Sequence, residues 1–270
     1  MSLVVKVALT PVLVAQAVAT RARLPRLPEA EGPREGWVDV PPPGAGSGRR
    51  PTRPGRTPLQ LLVAGDSSAA GVGVSHQDEA LAAPLAQRLA AQCGRPVAWQ
   101  LQACSGWTTR QLSEALAERL NGGQGFDLAV VVTGVNDVVD QVPSHRAAAH
   151  RDALVNRLRN AHGVRHVAFA PLPPVGRFPG LPQPLRWVAG RDADRHNRAL
   201  HDWAATRGDA SVVDMQLPLD PALMAEDGFH PGRPVYRYCA DRIAAHLAPW
   251  AAHAERLPGP GTTSNVRSRR

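Results

Sequence analysis

The sequence predicts an α/β fold: a three-layer α/β/α sandwich around a doubly wound parallel sheet of about five strands. Three observations carry this. Short apolar runs alternate with stretches of helical periodicity from residue 58 to residue 253. The runs hold few polar residues, as strands covered on both faces must. The first of them ends abruptly in Gly65-Asp66-Ser67-Ser68, which is how a buried strand delivers a polar side chain to the edge of a sheet.

Taken in order, the first strand covers 59–64. A helix follows over 80–92, where Leu81, Leu85 and Leu89 recur every four residues and Gly94 supplies the stop. Pro84 fits only in the first turn of that helix, because further in it would remove a backbone hydrogen bond. Residues 96–103 form the second strand. Thr108 opens the next helix with Gln111 three residues on, the spacing of a capping box, and Leu112, Leu116 and Leu120 line one face. The alternation continues with a strand over 126–133, a helix over 144–161, a strand over 166–170, a helix over 192–207, a strand over 211–214 and a last helix over 231–253. Residues 171–190, with six prolines, read as a long loop.

The flanks differ in composition. Residues 24–56 are rich in Pro, Gly and Arg and offer no apolar face, so 1–57 reads as an apolar segment followed by a linker or wrapping arm. The folded domain is expected over 58–253, and 254–270 reads as a disordered basic tail. The net charge of +8 sits in these ends: residues 1–57 carry nine basic and four acidic side chains, residues 254–270 four and one, and the middle 18 of each. A phosphate-tracking groove needs its cations together on the folded surface, so this distribution argues against a nucleic-acid partner.

Three cysteines without C-x-x-C spacing make neither a disulfide framework nor a zinc site, and no metal is expected. Residues 7–19 are mostly apolar, follow Lys6 and end in Ala17-Val18-Ala19, with Pro11 inside. Three readings stand open: a cleaved signal peptide, a membrane-contacting anchor, and a helix packed on the domain. The first implies a secreted form, the others a cytoplasmic or membrane-associated one.

In doubly wound sheets ligands bind where strands end, so the loops after the strands hold the candidate chemistry. Gly65 permits a tight turn before Ser67. Gly71 and Gly73 nearby do not complete a G-x-G-x-x-G pattern. Gly106, in Cys104-Ser105-Gly106-Trp107, lets the backbone approach a bound group, and its N–H suits an oxyanion. Asn136, in Gly134-Val135-Asn136-Asp137, offers an amide donor at the start of a third loop. In Asp227-Gly228-Phe229-His230-Pro231 an Asp stands three residues before a His, so the carboxylate can hold Nδ1 and leave Nε2 facing a serine. Taken singly, Ser67, Gly106 and Asn136 read first as an ordinary cap or turn; all four loops at the ligand end of one sheet form a set.

That set resembles the SGNH hydrolases, the GDSL-like lipase/esterase family, over about residues 58–253. Ser68 stands where the family name has Leu, and no Asn precedes Gly106. The absence of a G-x-S-x-G elbow separates the chain from the α/β-hydrolases. The resemblance implies a flavodoxin-like sheet with Ser67 as nucleophile and Asp227 and His230 completing a triad. It also implies an oxyanion hole from the N–H groups of Ser67 and Gly106 and the Asn136 amide. The expected activity is hydrolysis of carboxylic esters through an acyl-enzyme, rising with pH as His230 loses its proton, with no cofactor and a small-molecule ester as partner. Alternative substrates for the same triad are an acetylated sugar, a lysophospholipid or a thioester. A non-catalytic binding domain is the reading that Ser67 and His230 together oppose. Trp107, Phe178 and Trp187 are the candidate pocket residues, and membrane contact through the N-terminal segment and the oligomeric state stay open.

Overall fold

The computed structural model describes residues 3–40, 57–120, 124–218 and 220–253. The Pro- and Gly-rich run 41–56 and the tail 254–270 lie outside the described residues. Helix α1 is Leu3–Arg23 and strand β1 is Glu35–Val38. There follow β2 Leu59–Gly65, α2 Ser67–Ala70, α3 Ala82–Cys93, β3 Val97–Ala103 and α4 Thr109–Arg119. Next come β4 Leu128–Val132, α5 Val135–Val139, α6 Ser144–His162 and β5 His166–Phe169. The chain continues with α7 Leu185–Ala205, β6 Ala210–Val212 and α8 Arg233–His253.

The sheet has six strands in the order β1-β3-β2-β4-β5-β6. Strands β2 to β6 pair in parallel, in the flavodoxin-like order expected of a doubly wound sheet. The sixth strand corrects the count of about five and makes the sheet mixed: β1 pairs antiparallel with β3, Glu35 opposite Gln100 through Val38 opposite Val97. It comes from the arm. A four-residue edge strand half exposed along its length gives an alternation too short to read among prolines and glycines.

Burial follows the pleat. Leu59, Leu61 and Val63 of β2 pack on one face with α3 and α8, whose Leu85, Leu89, Ile243 and Leu247 are wholly buried. Leu62 and Ala64 point to the other face, into a core with Leu112, Leu116, Leu154 and Leu158. Pro84 falls in the first turn of α3, and Thr108 caps α4 with both bonds of the capping box present.

Two expectations shift. The helix expected over 192–207 starts at Leu185, because Pro184 precedes its first turn, where no N–H is needed. Trp187 is therefore helical and lies outside the loop. The one-turn helices α2 and α5, which carry Ser67 and Asn136, are too short to show periodicity.

Candidate active site

The ends of β2, β3 and β4 lie level, since Gly65 pairs with both Ala103 and Val132. Their loops start side by side: Asp66 N–H donates to the Val132 carbonyl at 3.0 Å, and Cys104 N–H to the Gly65 carbonyl at 3.3 Å. A Cβ on Gly65 would sit 2.1 Å from the Val132 carbonyl oxygen, so only glycine lets β2 and β4 meet here. Ser67 then begins α2, capped by Asp66, whose Oδ1 accepts the Ser68 N–H at 3.0 Å.

The loop before α8 brings in the distant partners. His230 Nε2 is 3.0 Å from Ser67 Oγ, and His230 Nδ1 is 2.5 Å from Asp227 Oδ2. The other carboxylate oxygen, Oδ1, accepts the N–H groups of Phe229 and His230, each at 2.9 Å. Burial alone would raise the Asp227 carboxyl. Its hydrogen bonds from the His230 side chain and from the backbone of His230 and Phe229 outweigh burial and hold it below the usual range. Gly73 serves this meeting, because a Cβ there would lie 2.3 Å from the Pro231 carbonyl oxygen.

Asn136 reaches across to the neighbouring loop, donating from Nδ2 to the Trp107 carbonyl at 3.0 Å, one residue past Gly106. That amide carries a second N–H besides. Gly106 sits in an exposed turn at φ +88°. The two loops are also riveted behind the site, where Asp137 accepts the Thr109 N–H at 3.1 Å and its hydroxyl at 2.5 Å.

Residues 63–238 match the GDSL-like Lipase/Acylhydrolase family. The chain belongs to this family. It is an ester-hydrolysing enzyme with a small-molecule ester as substrate. It is 28% identical to the GDSL-like esterase Rv1075c of Mycobacterium tuberculosis over 237 residues, which cover 86% of this chain and 74% of that one. In fold it is similar to the lipase Lip_vut3 from a goat rumen metagenome, with a TM-score of 0.58 at 17% identity over 71% of this chain and 98% of that one. It is also similar to the acetylxylan esterase Axe2 from Geobacillus stearothermophilus, with a TM-score of 0.52 at 19% identity over 70% and 94%.

Beside Ser67 this GDSL-like protein has an apolar cavity of about 70 Å³, walled by Phe178, Met215, Phe229, Tyr236, Cys239 and Ile243 among others. Of the three aromatic residues expected at a pocket, only Phe178 is there. Trp107 packs instead beneath the Arg119 guanidinium and against the core behind α4, and Trp187 stands half-exposed on α7. Trp107 stands next to Gly106 in sequence and Trp187 in a proline-rich stretch, and neither position fixes where a side chain packs. Ser68 also lines the cavity. Burial pushes the Cys239 thiol up to about 12, so it stays protonated beside Ser67.

Four further side chains shape the site without having stood out in the sequence. Asp66 and Asp137 lie inside the quoted motifs, both buried, and burial pushes the Asp66 carboxyl up to about 7. Thr109 had no signal beyond following a cap. Glu29, from the arm, accepts the Ser105 N–H at 2.6 Å beside Gly106, a contact no spacing could announce.

Proposed function

We propose that this protein is a serine esterase that cleaves carboxylic esters through a Ser67-His230-Asp227 triad and an acyl-enzyme. The observation that carries the reading is the hydrogen-bonded line from Asp227 Oδ2 through both nitrogens of His230 to Ser67 Oγ, at 2.5 and 3.0 Å. A serine hydroxyl is a weak nucleophile until a base within hydrogen-bond reach takes its proton.

In this reading His230 Nε2 accepts the proton from Oγ as Oγ bonds to the ester carbonyl carbon, and the carbonyl electron pair moves onto oxygen. The N–H groups of Ser67 and Gly106 and the second N–H of Asn136 hold that oxyanion. The imidazolium then gives its proton to the departing alkoxide as the carbon–oxygen bond breaks, leaving an acyl-Ser67 and a free alcohol. Water repeats the sequence under His230, releasing the carboxylic acid and restoring the hydroxyl. Asp227 keeps the proton on Nδ1, so Nε2 is the nitrogen that turns to Ser67.

The apolar lining beside Ser67 supports an acyl chain there in preference to a sugar, and so favours simple acyl esters over acetylated carbohydrates. A panel of acyl, acetyl-sugar, lysophospholipid and thioester substrates separates these. The decisive test is labelling by a fluorophosphonate probe. The folded protein is expected to label and Ser67→Ala to lose the label; a folded wild type that does not label would refute the triad.

A further inference from the structure

Helix α1 packs on the protein along a narrow stripe, Leu9, Leu13, Gln16 and Thr20, and leaves most of its apolar residues facing solvent, where an ordinary surface helix carries charged and polar ones. Gln16 donates from Nε2 to the Gln183 carbonyl at 2.6 Å and accepts the Leu185 N–H at 3.0 Å, while Thr20 is buried. On the outer side Val12, Val14 and Val18 are 46%, 56% and 64% exposed, with Ala8, Pro11, Ala15 and Ala19 exposed around them. No charged residue occurs between Ala8 and Thr20. Trp187, 43% exposed, stands one turn of chain beyond Gln183, whose side-chain oxygen takes its N–H.

The rim of this surface is basic. Residues 8–28 contain Arg21, Arg23 and Arg26, residues 171–191 contain Arg177, Arg186 and Arg191, and neither segment has an acidic residue. The two segments are joined, because Arg23 donates to the Gly180 carbonyl at 3.2 Å. Arg191 lies 5.8 Å over the Trp187 ring.

We infer that this face docks on an anionic lipid surface, with α1 lying in the plane of the interface. An apolar face with an amphipathic tryptophan and a cationic rim matches acyl chains below and phosphate headgroups above. A second copy of the chain is a poor occupant, because pairing this face with itself would bring the arginines together. Spanning is not required: no described helix is long and apolar enough to cross a membrane, whereas lying on one needs a single apolar face. The face adjoins the loop that carries Phe178 to the cavity, so docking sets the ester site beside the lipid.

The test is flotation of the full chain with vesicles of phosphatidylcholine alone and of phosphatidylcholine with phosphatidylglycerol. The protein is expected on the anionic vesicles, far less on the neutral ones, and to be released by salt. Val14→Glu with Val18→Glu should cut binding about tenfold or more while leaving the melting temperature unchanged, since both side chains are exposed. Arg21→Glu with Arg191→Glu should remove the preference for anionic lipid. The inference is overturned if the full chain ignores anionic vesicles, or if the double valine variant binds as well as wild type. It is equally overturned if light scattering finds a dimer that this variant splits while no vesicle binding occurs. Fluorophosphonate labelling without vesicles should be the same for all variants, which keeps this test separate from that of the triad.

Discussion

His230 Nε2 lies 3.0 Å from Ser67 Oγ although 163 residues of chain separate them. The contact depends on Asp227, which fixes the ring from the other side through two backbone bonds and one side-chain bond. Asp227→Asn keeps an oxygen for the two N–H groups but offers Nδ1 a donor in place of an acceptor. The expected result is a fall in kcat on the order of 10⁴ with the fold intact, read by ester hydrolysis and circular dichroism. A variant within a few-fold of wild type would exclude Asp227 as the orienting group.

Asn136→Ala removes the amide proposed to hold the oxyanion and the tie to the Trp107 carbonyl. A loss of about 10² to 10³ in kcat is expected, with KM changed little, because the donor acts in the transition state. Asp137→Ala frees the Thr109 loop and removes a negative charge that favours the charged form of buried Arg151, so it should also destabilise by roughly 3 kcal/mol in urea titrations. Unchanged stability would show that Asp137 supports neither the loop nor the arginine.

Glu29 ties the arm to the Ser105-Gly106 turn, and Arg34 supports it by pairing with Glu29 and donating to the Ala103 carbonyl at 2.7 Å. Glu29→Ala should lower kcat about ten- to a hundredfold while the protein stays folded by circular dichroism, because a small displacement of a donor is enough. Removal of residues 1–57 should do more, since it also opens the β3 edge to association. A truncated protein that stays monomeric and fully active would show the arm to be dispensable.

Asp66 should carry part of the pH dependence of stability. Its carboxyl has an ordinary value of 3.8 and is pushed up to about 7 by burial in the fold. Between those values the unfolded chain releases a proton that the folded chain keeps, so stability falls as pH rises from about 4 to about 7 and levels off above. Asp66→Asn keeps the cap on Ser68 without titrating. Its advantage over wild type should grow across that window to a few kcal/mol, order of magnitude, in denaturation series. An advantage independent of pH would refute the assignment.

Cys239 stands in the apolar wall beside Ser67. Cys239→Leu should leave acetyl esters almost unaffected and lower kcat/KM for longer acyl chains several-fold, since it fills space only those chains use. A chain-length profile identical to wild type would place the acyl group elsewhere.

The sequence by itself determined the parallel sheet and the strand ends, because burial on both faces demands apolar runs and each run is a local property. It also determined the four motif loops: Gly65-Asp66-Ser67, Gly106, Asn136 and Asp227 to His230 are each short and each stand just past or between predicted elements. Tertiary structure decided what local pattern cannot carry. The edge strand β1 exists because β3 offers it unpaired backbone, not because Glu35 to Val38 favour it. Glu29 meets Ser105 across 76 residues, Asp137 meets Thr109 across 28, and Trp107 and Trp187 turn away from the cavity that Phe178 enters. Those are properties of how the loops pack, and burial, which sets the charge on Asp66, comes into being only when they do.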